Sequence, residues 1–390
     1  MCAYTWQTNH SHIRATYTVH QFFDTYPFLT GLVSFFLGFL FMPVVLKIAK
    51  EKHFVVKPNK RMSHTGEIPN IGGIDICFSF MLTFLAFEYG SLKESQFLLI
   101  GLVVILFVGF ADDLLDLSPL SKLLGEMLAG IAMIGFADIR ITHLHGFLGV
   151  EQMSVAGSYV LSFFVLLAVI NALNLIDGVD GLASGLGILY CLFFAVWFQL
   201  SGELSWAILG YSMTGALAVF FIYNVFGGSK RKIFMGDSGS LLLGYLLTAF
   251  VFRFCTMNAY HLVPDSLACS AAPAVCVCVL SVPIFDTIRV SLTRIWHHRS
   301  PFSPDKNHIH HLLLRTGLNH IQTTCVLLAV TLLFIGLALI GRNWNIWLLT
   351  AVDFALCTIL TVILWRIVDL KTRNNSVETH CCTVDNDGCG

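Results

Sequence analysis

Acidic and amide side chains stand at the ends of strongly apolar segments of this sequence. These side chains are Asp112, Asp113, Asp116, Asn171, Asn174, Asp177, Asp180 and Asp237. An ionisable group at a membrane boundary is costly unless something binds it, so such a group is a candidate for a functional site. Carboxylate and amide oxygens suit a hard divalent cation or the hydroxyl groups of a sugar. The sequence therefore predicts a binding or catalytic site where several membrane helices end.

The stretch from Asn171 to Leu182 lies between two apolar segments and holds two amides and two carboxylates. These four residues recur at every third position, which on a helix places them in a slowly drifting stripe along one face. Gly178 and Gly181 predict that the helix opens into a loop here. The chain is expected to be organised around this stretch.

Three carboxylates end an earlier apolar segment. Asp112 and Asp116 are four residues apart and are predicted to share a helix face, with Asp113 beside them. With no cation in reach these carboxylates repel one another, and a divalent metal ion or a phosphate-bound Mg²⁺ would neutralise them. The alternative interpretation is an ordinary acidic loop end.

A basic turn from Lys230 to Lys232 precedes Asp237, which lies among glycine and serine residues at the start of another apolar segment. Ser238 or Asp237 is predicted to cap the helix that begins here. The glycine-rich turn also offers main-chain N–H groups to a phosphate.

The longest loop on the predicted inner side is rich in histidine. Its last histidines are His308, His310 and His311. Such a tract is typical of a zinc site, but no Cys or carboxylate stands at ligand spacing. The alternative is that the imidazoles, with Arg299 and Lys306, bind a pyrophosphate. Before this loop, Asp286 and Arg289 are predicted to form a buried pair that neutralises its own charge.

The composition is that of a polytopic membrane protein. Of the 390 residues, 56% are hydrophobic and only 12% are charged, and the mean hydropathy is +0.75. The candidate spans lie near 28–46, 71–89, 97–111, 122–138, 156–173, 182–200, 204–224, 238–257, 268–290, 322–341 and 345–366. The predicted fold class is all-α, a polytopic integral membrane protein with about 10–11 transmembrane helices.

Lys and Arg are distributed unevenly between the two sides of these predicted spans. With the N-terminus outside, 18 of the 23 Lys and Arg residues fall on inner segments. The positive-inside rule therefore places the N-terminus outside and the catalytic loops on the cytoplasmic face. The predicted divisions are an outer segment 1–27, a transmembrane domain 28–366 that opens with a signal anchor, and a cytoplasmic tail 367–390. A disulfide is not expected among the tail cysteines, Cys381, Cys382 and Cys389, because the cytoplasm is reducing. Metal binding or palmitoylation is the alternative.

Four strings occur in a fixed order on the predicted inner face. They are Asp112-Asp113-x-x-Asp116, the Asn171 to Asp180 stretch, Met235-Gly236-Asp237-x-Gly239-Ser240-Leu241 and His308-Ile309-His310-His311. Together they resemble the polyprenyl-phosphate N-acetylhexosamine-1-phosphate transferase family, and the inner loop from Lys57-Pro58 to Gly72-Gly73 matches it too. The resemblance runs from about residue 55 to 320. The string from Ser300 to Lys306 is similar to the bacterial branch that uses UDP-N-acetylglucosamine and undecaprenyl phosphate.

The resemblance implies a phosphotransferase that moves a sugar-1-phosphate from a UDP-sugar to undecaprenyl phosphate. UMP would be released and a lipid-linked cell-surface glycan started in the bacterial cytoplasmic membrane. Mg²⁺, or else Mn²⁺, is the implied cofactor, because one anion must attack another. The implied partners are the two substrates and membrane lipids, with no nucleic acid; a homodimer is one alternative for the oligomeric state.

The resemblance also implies residue roles. Asp237 is the implied metal ligand, with Asn174 beside it. Asp112, Asp113 and Asp116 are the implied catalytic acids, and whether they act as base or as metal site stays open. The implied substrate-binding residues are Lys122, Asn171, Asn174, Asp177, Asp180, Arg299, His308, His310 and His311.

Two rival functions are compatible with parts of the pattern. A transporter or lipid flippase also carries intramembrane acids, but it would place them at mid-membrane and expose a site to both faces. Here nearly every candidate lies at an inner span end, and no inverted repeat is visible. Within the enzyme class, the rival is a transferase for another UDP-N-acetylhexosamine, such as UDP-N-acetylgalactosamine.

Overall fold

A computed structural model describes residues 23–52, 54–56, 68–88, 92–298 and 307–384 of this protein. Two short strands, β1 (Val55–Val56) and β2 (Ile68–Pro69), pair in antiparallel orientation. A π-helical turn, Ile131–Phe136, continues the fourth helix. The helices are α1 (Phe28–Glu51), α2 (Gly72–Phe87), α3 (Leu92–Leu115), α4 (Pro119–Gly130), α5 (Val155–Ile176), α6 (Leu182–Leu200), α7 (Leu204–Phe226), α8 (Gly228–Arg231), α9 (Gly236–Ala259), α10 (Ala272–Val279), α11 (Ser281–Trp296), α12 (Ile309–Arg315), α13 (His320–Gly341) and α14 (Ile346–Val384).

The all-α polytopic fold predicted from the sequence is confirmed. Within the described ranges, nine helices are long and apolar enough to cross a membrane, and α10 with α11 makes a tenth span bent by 82°. The predicted segment 71–89 is α2, an apolar helix of only 16 residues. The candidate span near 268–290 corresponds to the bent pair of α10 and α11, because the helix breaks at Leu280. A broken helix is tolerated at membrane depth where surrounding protein satisfies its free main-chain groups.

Helix α9 is the most buried of these spanning helices and packs against α2, α3 and α5. Small residues permit this close approach. A Cβ atom added to Gly73 of α2 would lie 2.2 Å from the main-chain nitrogen of Gly239, and one added to Gly109 of α3 would lie 2.5 Å from Cα of Ser238. The first turn of α9 is therefore held between the start of α2 and the end of α3.

Main-chain hydrogen bonds fix the segment that leads into α9. Phe234 N–H donates to the carbonyl of Pro69 at 2.8 Å, and Gly72 N–H donates back to the carbonyl of Phe234 at 3.0 Å. Gly73 N–H donates to the carbonyl of Met235 at 3.0 Å. The end of the first loop and the residues before Asp237 thus form one unit. Residues 57–67 of that loop lie outside the described residues.

Helix α4 begins at a capped proline turn. Pro119 is its first residue, and Ser118 Oγ accepts a hydrogen bond from Ser121 N–H at 3.2 Å. Proline is favoured there because the first helical N–H has no intrahelical partner to lose. At the other end of the chain, α14 continues through residue 366 to Val384, so the predicted start of the tail is not a helix end.

Candidate active site

Asp113 caps the N-terminus of α9 although it belongs to α3. Its Oδ1 accepts from Asp237 N–H at 2.8 Å and from Asn70 Nδ2 at 2.9 Å, and its Oδ2 accepts from Ser238 N–H at 3.0 Å. The first N–H groups of a helix need such acceptors, and a carboxylate there also meets the positive end of the helix dipole. The prediction that Ser238 or Asp237 caps its own helix is therefore wrong.

Gly236 is required immediately before Asp237. Its φ is +71°, a conformation that other residues adopt at a cost. A Cβ atom at this position would also lie 2.5 Å from Asp113 Oδ2. The glycine lets the Asp113 carboxylate approach the start of α9.

Lys122 joins two carboxylates and an amide from three other helices. Its Nζ lies 3.1 Å from Asp112 Oδ2, 2.5 Å from Asp237 Oδ2 and 3.3 Å from Asn174 Oδ1. The carboxyl groups of Asp112 and Asp237 are themselves in contact. The expectation that the acids have no cation in reach is wrong, because the start of α4 folds back over the end of α3.

Asn174 orients Asp237 from the opposite side. Its Nδ2 donates to Asp237 Oδ1 at 2.8 Å and to Ser240 Oγ at 2.9 Å. Both oxygens of the Asp237 carboxylate are therefore directed by neighbours, one by Asn174 and one by Lys122.

Asp116 lies apart from this group. Helix α3 ends at Leu115, and Asp116 has a φ of +48° and an exposed side chain. Asp112 Oδ1 instead accepts from Leu117 N–H at 2.8 Å. The prediction that Asp112 and Asp116 share a helix face is wrong, because the chain turns before the second residue.

A buried glutamate was missed in the sequence. Glu126 lies one turn after Lys122 on α4 and accepts a hydrogen bond from Asn171 Nδ2 at 2.9 Å. It is only 1% exposed. A signal was present, because Glu126 is an ionisable residue within a predicted apolar span, 122–138.

The Asn171 to Leu182 stretch is only partly helical. Helix α5 ends at Ile176, so Asp177 and Asp180 lie in the following turn, and the predicted four-residue stripe on one face is wrong. The predicted opening into a loop is confirmed. Gly181 has a φ of +76°, and its N–H donates to Asn224 Oδ1 at 2.6 Å. Asn224, which the sequence did not single out, holds this turn against α7.

Asp180 is held by two basic side chains. Its Oδ2 lies 2.7 Å from Lys232 Nζ and 3.0 Å from His320 Nδ1. Burial opposes ionisation of this carboxyl, but His320 and Lys232 outweigh it and hold the pKa of Asp180 below its ordinary value of 3.8. His320 was not predicted, since it stands outside the motif strings.

Asp177 has the opposite electrostatic environment. Burial raises its pKa from the ordinary 3.8 to about 7, and the nearby carboxylates of Asp237, Asp113 and Asp180 add to the shift. A perturbed acid inside a polar cluster is typical of a functional site.

The histidines form a second group that meets the first at the Asp177 to Gly181 turn. Asp286 Oδ2 lies 2.9 Å from His308 Nδ1, and Asp286 Oδ1 accepts from Ile309 N–H at 3.0 Å. The predicted Asp286–Arg289 pair is confirmed at 2.6 Å. The Asp286 carboxylate therefore also caps α12 and orients His308.

His310 lies at the contact between the two groups. Its ring stacks on that of His308 with centroids 5.8 Å apart, and the ring of His311 is 4.3 Å away. A Cβ atom on Gly178 would lie 2.5 Å from His310 Nε2. Burial, and after it the neighbouring His311, lower the pKa of His310 to about 3, so the ring is neutral.

Oxygen atoms dominate the group around Lys122, as a hard cation requires. The carboxylates of Asp112 and Asp237 and the amide oxygen of Asn174 fit Mg²⁺, which is usually bound through one or two carboxylates together with substrate phosphates. No three His, Cys, Asp or Glu side chains in the described part of the chain are grouped to hold a metal ion. The zinc alternative therefore finds no ligand set there. Arg299 lies outside the described residues.

The sequence of this chain is similar to those of known proteins. The model of glycosyl transferase family 4 matches residues 95–254. The undecaprenyl-phosphate alpha-N-acetylglucosaminyl 1-phosphate transferase of Escherichia coli strain K12 is 33% identical over 313 residues, which are 78% of this chain and 81% of the relative. This chain belongs to glycosyl transferase family 4.

Two further members extend the similarity. The enzyme of the same name from Yersinia pestis is 30% identical over 321 residues, 80% of this chain and 84% of the relative. A probable undecaprenyl-phosphate N-acetylglucosaminyl 1-phosphate transferase of Bacillus subtilis strain 168 is 29% identical over 334 residues, 85% and 89% of the two chains. The part matched by the family 4 model holds Asp112, Lys122, Asn174 and Asp237 but ends before the histidines.

Proposed function

We propose that this protein transfers N-acetylglucosamine-1-phosphate from UDP-N-acetylglucosamine to undecaprenyl phosphate and releases UMP. The observation that carries the proposal is the Lys122 ammonium, held between the carboxylates of Asp112 and Asp237 at the start of the most buried helix. Relatives that match about four fifths of the chain are named for this reaction. The product would start a lipid-linked glycan at the bacterial cytoplasmic membrane.

The reaction is a phosphoryl transfer between two anions. An oxygen of the lipid phosphate forms a bond to the β-phosphorus of the nucleotide sugar, and the bond from that phosphorus to UMP breaks. The second pKa of a phosphate is about 6, so the attacking group is largely deprotonated at neutral pH and needs little base catalysis. The main task of the protein is to hold two repelling phosphates in line and to offset their charge.

Lys122 is placed to offset that charge. Its ammonium is in contact with Asp112 and Asp237, and Asn174 holds the other oxygen of Asp237. Mg²⁺, or else Mn²⁺, would be held by Asp112, Asp237 and Asn174, and when bound it would neutralise negative charge on the reacting phosphates. Asp113 is used to fix the start of α9, which leaves Asp112 as the acid nearest the reacting group.

The turn and the histidines would bind the nucleotide sugar. Asp177 and Asp180 offer carboxylate oxygens to hydroxyl or ring N–H groups. His310 is neutral and fixed against Gly178, so it can donate or accept one hydrogen bond without adding charge. His308 and His311 would complete the side that faces the phosphates, and a phosphate contact is also proposed for Arg299 on the basis of the sequence.

The proposal is tested by UMP release from protein purified in detergent, given undecaprenyl phosphate, a UDP-sugar and Mg²⁺ or EDTA. We expect release that requires lipid and metal with UDP-N-acetylglucosamine, slower release with UDP-N-acetylgalactosamine, and loss in Asp237→Asn. Asp138→Asn is the matched control, since Asp138 pairs with Arg140 beyond the far end of α4. Absence of release with every UDP-sugar from folded protein would reject the transferase and favour a transport function.

A further inference from the structure

Glu126 is a buried carboxyl for which the reaction described above has no use. It is 1% exposed, and its Oε1 has no hydrogen-bond partner among the described residues. Leaving one oxygen of a buried carboxyl unpaired costs free energy, so a glutamate at this position needs an explanation. The contact that its other oxygen, Oε2, makes with Asn171 provides one.

Helices α4 and α5 are joined by two polar contacts, one turn apart. Lys122 Nζ donates to Asn174 Oδ1 at 3.3 Å, and one turn deeper Asn171 Nδ2 donates to Glu126 Oε2 at 2.9 Å. The first contact belongs to the charged group around Asp237. The second has no cation and is directed at the amide of Asn171.

The Asn171 side chain is held in one of its two possible orientations. Its Nδ2 donates both to Glu126 Oε2 and to the carbonyl of Leu167, each at 2.9 Å. Because both neighbours are acceptors, a flipped amide would set oxygen against oxygen. The amide oxygen is therefore turned away from Glu126. It accepts no hydrogen bond from the described residues, and the side chain is partly accessible.

We infer that Glu126 is a positioning residue that fixes the Asn171 oxygen as an acceptor for an N–H or O–H donor of the nucleotide sugar. The inference rests on the proposed function. An amide oxygen carries a partial negative charge and can only accept, so it repels phosphate and the group recognised is a neutral donor. A ring N–H of the base, a sugar hydroxyl and an acetamido N–H all meet this description.

The first test removes the acceptor. Glu126→Leu frees the Asn171 amide, and we expect KM for UDP-N-acetylglucosamine to rise about tenfold, the value of one hydrogen bond. KM for undecaprenyl phosphate should stay within about twofold, since the lysine contact is intact. Glu88→Leu is the matched control, because Glu88 is a buried glutamate bonded to Ser205 Oγ at the other end of α2. An unchanged KM for the nucleotide sugar in Glu126→Leu would overturn the inference.

The second test exchanges donor and acceptor and does not depend on Glu126→Leu folding. Asn171→Asp sets two carboxyl groups against each other and should raise KM for UDP-N-acetylglucosamine about tenfold. Adding Glu126→Gln supplies an amide donor to the new carboxylate and should lower KM part of the way back to wild type, because the Leu167 carbonyl still faces an oxygen. Failure of the second change to rescue the first would contradict a direct positioning contact.

The inhibition constant of UDP then locates the donor. A parallel rise of this constant and of KM in Asn171→Asp places the donor on the uridine, and a rise in KM alone places it on the sugar; both results support the inference. Wild-type protein that is folded but inactive on UDP-N-acetylglucosamine would reject the proposed function instead.

Discussion

The main-chain N–H of Asp237 donates a hydrogen bond to Oδ1 of Asp113 at 2.8 Å. One acid of the Asp112-Asp113 pair thus fixes the helix that carries the acid at the centre of the site. Asp112 faces the other way, toward Lys122 at 3.1 Å. Two adjacent carboxylates therefore do different work, one as a helix cap and one as a partner of Lys122.

This division gives a prediction for Asp113→Asn. The amide keeps one acceptor oxygen but sets its NH₂ against a main-chain N–H, so the cap is weakened by about 1 kcal/mol. We expect a lower unfolding temperature in detergent and turnover reduced by about tenfold. Asp265→Asn, an exposed loop change, is the control for the unfolding temperature.

The pH dependence of the same variant separates capping from base catalysis. A lost cap lowers turnover by a similar factor at every pH between 6 and 9. Full recovery of turnover at high pH with an unchanged unfolding temperature would instead assign Asp113 the role of a base.

Lys122 gives a second prediction. Lys122→Met leaves Asp112 and Asp237 in contact without their cation, and the loss of one preorganised charge in a low-dielectric site costs about 100-fold in kcat. Lys122→Arg keeps the charge but spreads it over a larger planar group, so it should recover only part of the rate. UMP release under saturating substrates measures both variants. Equal kcat for Lys122→Met and wild type would exclude a role for this lysine at the reacting phosphates.

The membrane fold and several residues of the candidate site could be predicted from the sequence, because both depend on residue types at fixed positions. Apolar runs predict spanning helices, and isolated acids at their ends predict a site. The structure brings Asp112, Lys122, Asn174 and Asp237 together as expected for a common site. What failed is the local geometry: the helices end before Asp116 and Asp177, so neither the shared face of Asp112 and Asp116 nor the stripe through Asp180 forms.

Contacts between distant helices could not be predicted from the sequence, for a physical reason. Asp180 could not be matched to His320, 140 residues later, because nothing in either residue type specifies the packing of α13 against the turn. The cap of α9 was likewise sought next to the helix, whereas a carboxylate from α3 reaches it. Such pairings follow from the close approach of glycines such as Gly73 and Gly109, whose role is visible only in three dimensions.

The raised pKa of Asp177 predicts that the stability of the folded protein depends on pH. Its pKa is raised from 3.8 in the ordinary case to about 7 in the folded protein. Well below pH 3.8 both states are protonated and the residue has no effect on stability. Between these values the unfolded chain ionises and the folded protein does not, so folding becomes less favourable as pH rises, until the effect levels off above pH 7.

Asp177→Asn removes this penalty. We expect the unfolding temperature of the variant to lie closest to wild type near pH 4 and to exceed it increasingly up to pH 7, while affinity for the UDP-sugar falls. Thermal unfolding in detergent across this range measures the difference. Asp369→Asn, on the part of α14 beyond the histidines, is the control. A variant that is less stable than wild type at pH 8 would contradict a raised pKa.

The neutral state of His310 leads to the last prediction. With a pKa of about 3, this ring does not titrate between pH 5 and 9. His310→Gln should therefore raise KM for the UDP-sugar, because the ring contacts the Gly178 turn, while the shape of the pH–rate profile stays that of wild type. Asp286→Asn should act differently, since it weakens the cap of α12 and the contact to His308 together and so lowers stability as well as affinity. Initial rates at six or so pH values, with KM determined at each, measure both effects. Loss of one limb of the profile in His310→Gln would show that this histidine carries a proton in the reaction.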